Sequence, residues 1–336
     1  MRAKLSLAVL AIPAALSACL PGQVSDAVLP PSDLKPPLVL EAGPEGPRSF
    51  LLRFDEEVNP VEGSFGLEPG PRAAAASAEG SSLRLDLGAD CEPGAEYALS
   101  GEVEDGAGNA TRFVFRFAGW NGRPARLALS EAQTARNSSA TRPRRDFVEL
   151  LVLVPGNLGG LELSWAGSAK LCSYRFPGVE VRAGDRVVLH LAPEGLPAEL
   201  DEKGADLSAS GGTDATAAGR DLWCAAGPLP DANGALALRS RPGGPVEDAL
   251  FYAESSRSGP LGADKLCALV ASLGEAWPVA GAAPAWEDAF RWKPSAARSI
   301  CRREGEAAPG PESWYPSDPG AQTPGSPNAP PGLRKR

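Results

Sequence analysis

The sequence predicts an all-β protein built from two antiparallel β-sandwiches, the second carrying a small helical insertion. Three observations lead there. Glycine and proline are abundant, at 38 and 34 of 336 residues, which favours turns and short strands over long helices. Apolar residues recur with a period of two in runs bounded by turn residues, the pattern of half-buried strands. A single stretch has helical periodicity. A chain of this length usually makes two domains, each with room for its own core.

The first residues read MRAKLSLAVLAIPAALSACLPG. Arg2 and Lys4 make a positive start, and Leu5 to Ala15 a short apolar run broken by Pro13. Crossing a bilayer takes about 20 apolar residues, so residues 1–18 read as an export signal rather than an anchor helix. The segment Leu16-Ser17-Ala18-Cys19 resembles the lipobox of bacterial lipoproteins. That resemblance implies cleavage before Cys19, acyl chains such as palmitate at the new N-terminus, and a protein held on the exported side of a membrane in the bacterial cell envelope. Residues 19–37 are proline-rich and predict an extended tether.

The first β domain is expected over 38–118. In SFLLRF, Phe50, Leu52 and Phe54 share a face; so do Leu83, Leu85 and Leu87 in SSLRLDL, and Phe113, Phe115 and Phe117 in TRFVFRF. LLRFDEEV (51–58), PGAEYALS (93–100) and VEDGAGN (103–109) resemble a bacterial Ig-like domain of surface-layer proteins. Asp105 and Asn109 could offer oxygens to calcium, but the stretch lacks the acidic ligands of a dedicated loop and reads as a tight turn.

The second domain is expected over 119–328. It opens on a connector carrying Arg123, Arg126, Arg136, Arg142, Arg144 and Arg145, a basic cluster that could meet lipid headgroups or an anionic glycan, or simply stay solvated. FVELLVLV is apolar on both faces, as a central strand should be. GLELSW alternates, GVEVRAGDRVVLHLAP makes two short strands around Ala183–Asp185, and GALALRS with PVEDALFY makes a hairpin around Pro242–Pro245. Taken in order with DFVELLVL, SICRR, SWY and TPGSPN, these pieces resemble the lamin-tail domain, an Ig-like sandwich found in many bacterial exported proteins.

Residues 255–299 depart from that pattern as an insertion. Leu266, Leu269, Val270 and Leu273 follow helical spacing near 264–274, with Asp264 as N-cap and Gly274 as stop. Trp277, Trp286 and Trp292 crowd the stretch after it. They could stack on sugars as a glycan-binding strip, or pack the helix against the sheet. Residues 329–336 read as a short, disordered basic tail.

With Cys19 assigned to lipid, five cysteines remain. Export permits disulfides, and Cys172 with Cys224 and Cys267 with Cys301 are the favoured pairs because each lies within one predicted domain, leaving Cys91 free. No pair has the short spacing of a zinc knuckle, so no metal is expected.

Little in the chain points to chemistry. No nucleophile elbow, P-loop, dinucleotide fingerprint or zincin motif is present, and no cofactor is expected. His190 is the sole histidine and alternates within a strand, where a structural role is the usual one. A net charge of −9 without a basic stripe argues against nucleic acid as partner. Glu194, Glu199, Asp201, Glu202 and Asp206 read as an exposed acidic loop, while Asp221 and Asp248 sit beside apolar runs and could meet an Arg. Glu149 interrupts the most apolar strand of the body. An isolated buried carboxylate is costly, and no second carboxylate at useful spacing accompanies it, so it reads as a structural group paired with an arginine. Its strand and GLELSW are expected to form a strand pair turning at Pro155–Gly160.

The expectation is therefore a non-enzymatic, lipid-anchored envelope protein whose partners are the membrane and envelope proteins or glycans. The alternatives are a glycan-binding adhesin using the tryptophan-rich insertion and, behind it, a carboxylate- or metal-dependent hydrolase.

Overall fold

The computed structural model describes residues 33–70, 75–138, 143–303, 305 and 308–332. The expected signal segment, Cys19, most of the expected tether and Arg142 lie outside the described residues. Among those described, no helix is long and apolar enough to cross a membrane.

The first sandwich contains β1 (Val39–Pro44), β2 (Ser49–Phe54), β3 (Asn59–Pro60), β4 (Gly66–Glu68), β5 (Ala75–Glu79), β6 (Ser82–Asp86), β7 (Glu96–Glu104) and β8 (Ala110–Ala118). One sheet runs β1-β2-β6-β5; in the other, β7 is flanked by β8 on one edge and by β3 and β4 on the opposite edge. The alternating residues do what their period demands. Phe50, Leu52, Phe54, Leu83 and Leu85 are buried, and Phe50 packs on Phe117 with ring centroids 4.7 Å apart. The end of the tether is pinned to this body: Lys35 pairs with Asp55, and the Thr111 hydroxyl donates to the Pro37 carbonyl at 2.6 Å.

The second sandwich contains β9 (Arg126–Gln133), β10 (Asp146–Val154), β11 (Gly156–Asn157), β12 (Glu162–Ala166), β13 (Leu171–Arg175), β14 (Glu180–Val181), β15 (Arg186–Leu191), β16 (Arg220–Cys224), β17 (Gly234–Arg239), β18 (Val246–Glu254), β19 (Phe290–Trp292), β20 (Ile300–Arg302) and β21 (Trp314–Pro316). One sheet runs β16-β15-β10-β9-β20-β21 and the facing sheet β13-β12-β17-β18-β19. Most ladders are antiparallel, but β15–β16 and β18–β19 are parallel.

Three local expectations are corrected. Part of the expected connector is β9, a central strand. β10 and β12 do not pair: both edges of β10 are occupied, by β9 and β15, so Pro155–Gly160 carries the chain across to the facing sheet. β14 pairs with β11 rather than with β15. The β17–β18 hairpin forms as expected.

The helix α1 spans Lys265–Ala271; the Asp264 carboxylate accepts the Cys267 N–H at 3.0 Å, and Leu266, Leu269 and Val270 are buried. Gly274, at φ +56°, turns the chain after it. Leu163, Trp165, Leu236, Leu238 and Leu250 fill the space between the sheets. The opposite face of β12 and β17 carries Ser164, Ala166, Ala235 and Ala237, and these small side chains let α1 lie close along it. The insertion is not wholly an addition, since its end supplies edge strand β19. Nor is the tail free from Ala329: the Tyr315 hydroxyl donates to the Ala329 carbonyl at 2.9 Å, and the Gly332 N–H reaches Asp318 at 3.2 Å.

Candidate functional site

The residues that drew attention in the sequence meet on the outer face of the six-stranded sheet. Strand alternation points Phe147, Glu149 and Leu151 of β10 away from the sandwich interior. Register then sets Glu149 opposite Glu131 of β9 and Val188 of β15, Glu131 opposite Cys301, and Val188 opposite Asp221. A row of Cys301, Glu131, Glu149, Val188 and Asp221 thus crosses the sheet. It is not open to solvent: Glu131 and Glu149 are 1% and 0% exposed, because residues 317–332 lie over them as a strap.

The strap brings donors. Glu149 accepts from Arg186 Nη1 at 2.5 Å and from the Gly325 N–H at 2.7 Å, so the arginine expected from the sequence is Arg186. Glu131 accepts from the Thr323 N–H and hydroxyl, both at 3.1 Å, and from the Ser299 hydroxyl. Asn328 Nδ2 donates to the carbonyls of Ser130 and Arg302, both at 3.0 Å. Burial dominates the electrostatics. It pushes the Glu149 carboxyl up to about 7 despite Arg186, with the neighbouring Glu131 adding to the rise. It raises Glu131 as well, against its hydrogen bonds. The Cys301 thiol, beside both, is held far above its ordinary range by burial first and by Glu131 second. A neutral thiol is a poor nucleophile.

The loop between β15 and β16 covers the rest of this face. His190 Nε2 lies 2.8 Å from Asp221 Oδ1, and the imidazole stacks on Trp223 at 4.2 Å. Asp221 also takes the Thr216 N–H at 2.8 Å. One reading of the acidic loop is corrected here. Glu202 is buried at 2% exposure, where it accepts the N–H groups of Ser210 and Asp221 at 3.0 and 2.8 Å and ties the loop down.

The other carboxylates beside apolar runs are also partnered. Asp248 meets Arg302 at 2.5 Å. Asp146 accepts the Leu229 N–H at 2.8 Å with Arg136 at 3.6 Å, and burial raises it to about 7. The basic cluster of the connector is largely neutralised: Arg123 pairs with Glu180, Arg144 with Asp214 and Arg145 with Glu194. No signal in the sequence marked Glu131. Its donors, Ser299 and Thr323, come from segments far along the chain.

Of the two readings open for the insertion's tryptophans, the structure shows packing and no glycan strip. Trp277 and Trp292 are 1% and 2% exposed. Trp277 donates its indole N–H to the Asp288 carbonyl at 2.9 Å, and Trp286 is partly buried beneath Arg257. All three wedge the insertion onto the sheet.

The five described cysteines are free thiols. Cys267 and Cys301 cannot pair, because Cys267 rides on α1 outside one sheet and Cys301 faces outward from the other. Cys172 and Cys224 both point into the sandwich, from the facing edge strands β13 and β16. In the first sandwich, Asp105 accepts the Ala107 and Asn109 N–H groups at 2.8 and 2.9 Å, as a turn requires. Asp33 and Glu56 bring their carboxylate oxygens within 4.8 Å of it and of each other. A hard cation takes such oxygens, although both oxygens of Asp105 already accept hydrogen bonds.

The two sandwiches meet backbone to backbone. Gly94 has φ +77°, and a Cβ there would stand 2.1 Å from the Gly160 nitrogen. Asn121 Nδ2 donates to the carbonyls of Asn157 and Gly159 at 2.9 and 2.8 Å. Arg175 reaches Glu96 at 2.6 Å across the junction. Beside this contact runs a groove of about 570 Å³ between the end of β8 and the β17–β18 turn.

Known proteins match part of this chain. A protein of Treponema pallidum (strain Nichols) described as "Uncharacterized protein" is 37% identical over 161 residues, covering 47% of this chain and 39% of that protein. The chain thus matches well under half the length of that relative. No solved structure matches. Residues 125–316, from the start of β9 to the end of β21, match the family described as "TP_1001_2nd: protein second domain", and the chain belongs to that family.

Proposed function

We propose that this chain is a non-enzymatic protein of the bacterial cell envelope, held to a membrane by lipid on Cys19. Its Ig-like first domain acts as a spacer and its lamin-tail-like second domain as a structural or binding module. The observation that carries the reading is the covered pair Glu131 and Glu149. A hydrolase using two facing carboxylates must admit substrate and water to them. Here Thr323 and Gly325 occupy their oxygens and Asn328 closes over the same strand. Carboxylates held this way fasten a strap to a sheet.

Fractionation tests the anchor. The wild-type chain is expected in the membrane fraction and Cys19→Ala in the soluble one; a variant that stays on the membrane removes the lipid anchor from the proposal. Assays of the purified chain against ester, glycoside and phosphoester substrates, with and without divalent metals, test the non-enzymatic part. Turnover abolished by Glu131→Gln or Glu149→Gln, in a variant that remains folded, would establish the hydrolase instead.

A further inference from the structure

We propose that the groove between the two sandwiches binds an acidic oligosaccharide, with Trp120 stacking on a sugar ring and Arg116 and Arg241 taking its carboxylates. The inference rests on reading the chain as a binding module and names that module's ligand class.

The groove lies at a domain junction, where small-ligand sites are commonly found, and its volume of about 570 Å³ falls within their usual range. Among the described residues, Trp120 is the sole aromatic of the large apolar side chains that stand exposed, at 41%. Trp165, Trp277, Trp292 and Trp314 are buried. An exposed indole offers a broad apolar face to the C–H groups of a pyranose and an N–H donor at its edge.

The charges complement an anion. Arg116 and Arg241 line the groove from opposite domains. Neither has a carboxylate partner among the described residues, whereas the nearby Arg123 and Arg175 are paired with Glu180 and Glu96. In a chain of net charge −9, two unpaired guanidinium groups in one groove are a local reversal of sign. Their planar forks suit carboxylates.

A peptide fits less well. Pro44, Pro124 and Pro242 on the groove wall have no N–H to give a peptide backbone. The groove is also preformed, because the glycine contact at Gly94, Gly159 and Gly160 fixes the two domains against each other. Little ordering entropy is then lost on binding.

Titration calorimetry of the purified full chain with hexagalacturonate, and with a neutral galactose hexamer, tests the assignment. The acidic oligomer is expected to bind and the neutral one to bind at least about tenfold more weakly, with affinity falling as salt screens the arginines. Trp120→Ala and the double variant Arg116→Ala/Arg241→Ala are each expected to lose about tenfold or more in affinity at unchanged melting temperature. Trp286→Ala serves as a control and should bind like wild type. The proposal is overturned if the folded chain does not bind the acidic oligomer, binds the neutral one equally well, or keeps its affinity in Trp120→Ala. Hexaglutamate competing as strongly as hexagalacturonate would also overturn the sugar assignment. If sugar binding fails while Cys19-dependent membrane anchoring holds, the envelope reading stands and the groove assignment alone falls.

Discussion

Asp248 and Arg302 together stand in for a missing strand neighbour of β9. The Asp248 carboxylate accepts the Leu129 N–H at 2.7 Å, and Arg302 Nη1 donates to the Leu129 carbonyl at 3.3 Å while bonding Asp248 at 2.5 Å. β20 pairs with β9 only at Ala132 and Glu131. Below that point the sheet opens, and the ion pair closes the gap. Removing one member leaves the other buried and Leu129 unsatisfied. Asp248→Ala and Arg302→Ala should each cost about 3–5 kcal/mol by chemical denaturation. A double variant with well-packed apolar replacements should recover part of the loss. Single variants within about 1 kcal/mol of wild type would show that the pair does not hold this edge.

Burial holds Glu149 and Asp146 near 7, above the ordinary carboxylate range. Between that ordinary range and about pH 7 the folded chain binds more protons at these groups than the unfolded chain does. Their contribution to stability is therefore full at low pH and is lost as pH rises through about 7. The melting temperature should fall on going from about pH 5 to pH 8, and Glu149→Gln should flatten the slope. A melting temperature that rises across this window in wild type contradicts the assignment.

The strap offers a separate test. Deleting residues 317–336 uncovers Glu131 and Glu149 and removes the bonds from Thr323, Gly325 and Asn328. The shortened chain should melt well below the full one, with faster amide exchange in β9 and β10. Unchanged exchange in those strands would mean that the strap carries no load.

Cys172 and Cys224 lie on the facing edges of the two sheets. The Cys172 sulfur is 3.4 Å from the Ala226 carbonyl oxygen, and the Cys224 sulfur is 3.4 Å from the Ala226 nitrogen. Exchange with a small disulfide should oxidise both thiols to one bridge and release two equivalents of reduced reagent. The closed loop of roughly 50 residues should add about 4 kcal/mol. Peptide mapping and thiol titration check this: Cys91, Cys267 and Cys301 should remain reduced. A bridge between any other pair, or five thiols after oxidation, counts against it.

Gly94→Ala tests the domain junction. The new Cβ would collide with the backbone of Gly159 and Gly160, and φ +77° is unfavourable for alanine. Limited proteolysis should cut the segment between β8 and β9 faster in the variant than in wild type. Equal rates would show that the junction absorbs the methyl group.

The parts of this protein that repeat locally were legible in its sequence. Phe50, Leu52 and Phe54 alternate and are buried together. Leu266, Leu269 and Val270 follow helical spacing, and Asp264 caps as its position suggests. Even the need of Glu149 for an arginine followed from the cost of burying a lone carboxylate. Glu131 was not legible. It lies in a stretch rich in arginine and alanine, and its donors, Ser299 and Thr323, are far away in the chain.

Sequence alone thus determined the all-β class, the helix α1 and the demand that any buried charge be matched, because each follows from a short period or a one-residue energy. Tertiary structure decided which edges join, which donors answer Glu131, Glu149 and Asp248, and which tryptophans stay in water. Those outcomes depend on contacts between distant segments. Trp277 and Trp292, for which the sequence left both sugar stacking and packing open, are core, while Trp120 stands exposed in the groove where two domains meet.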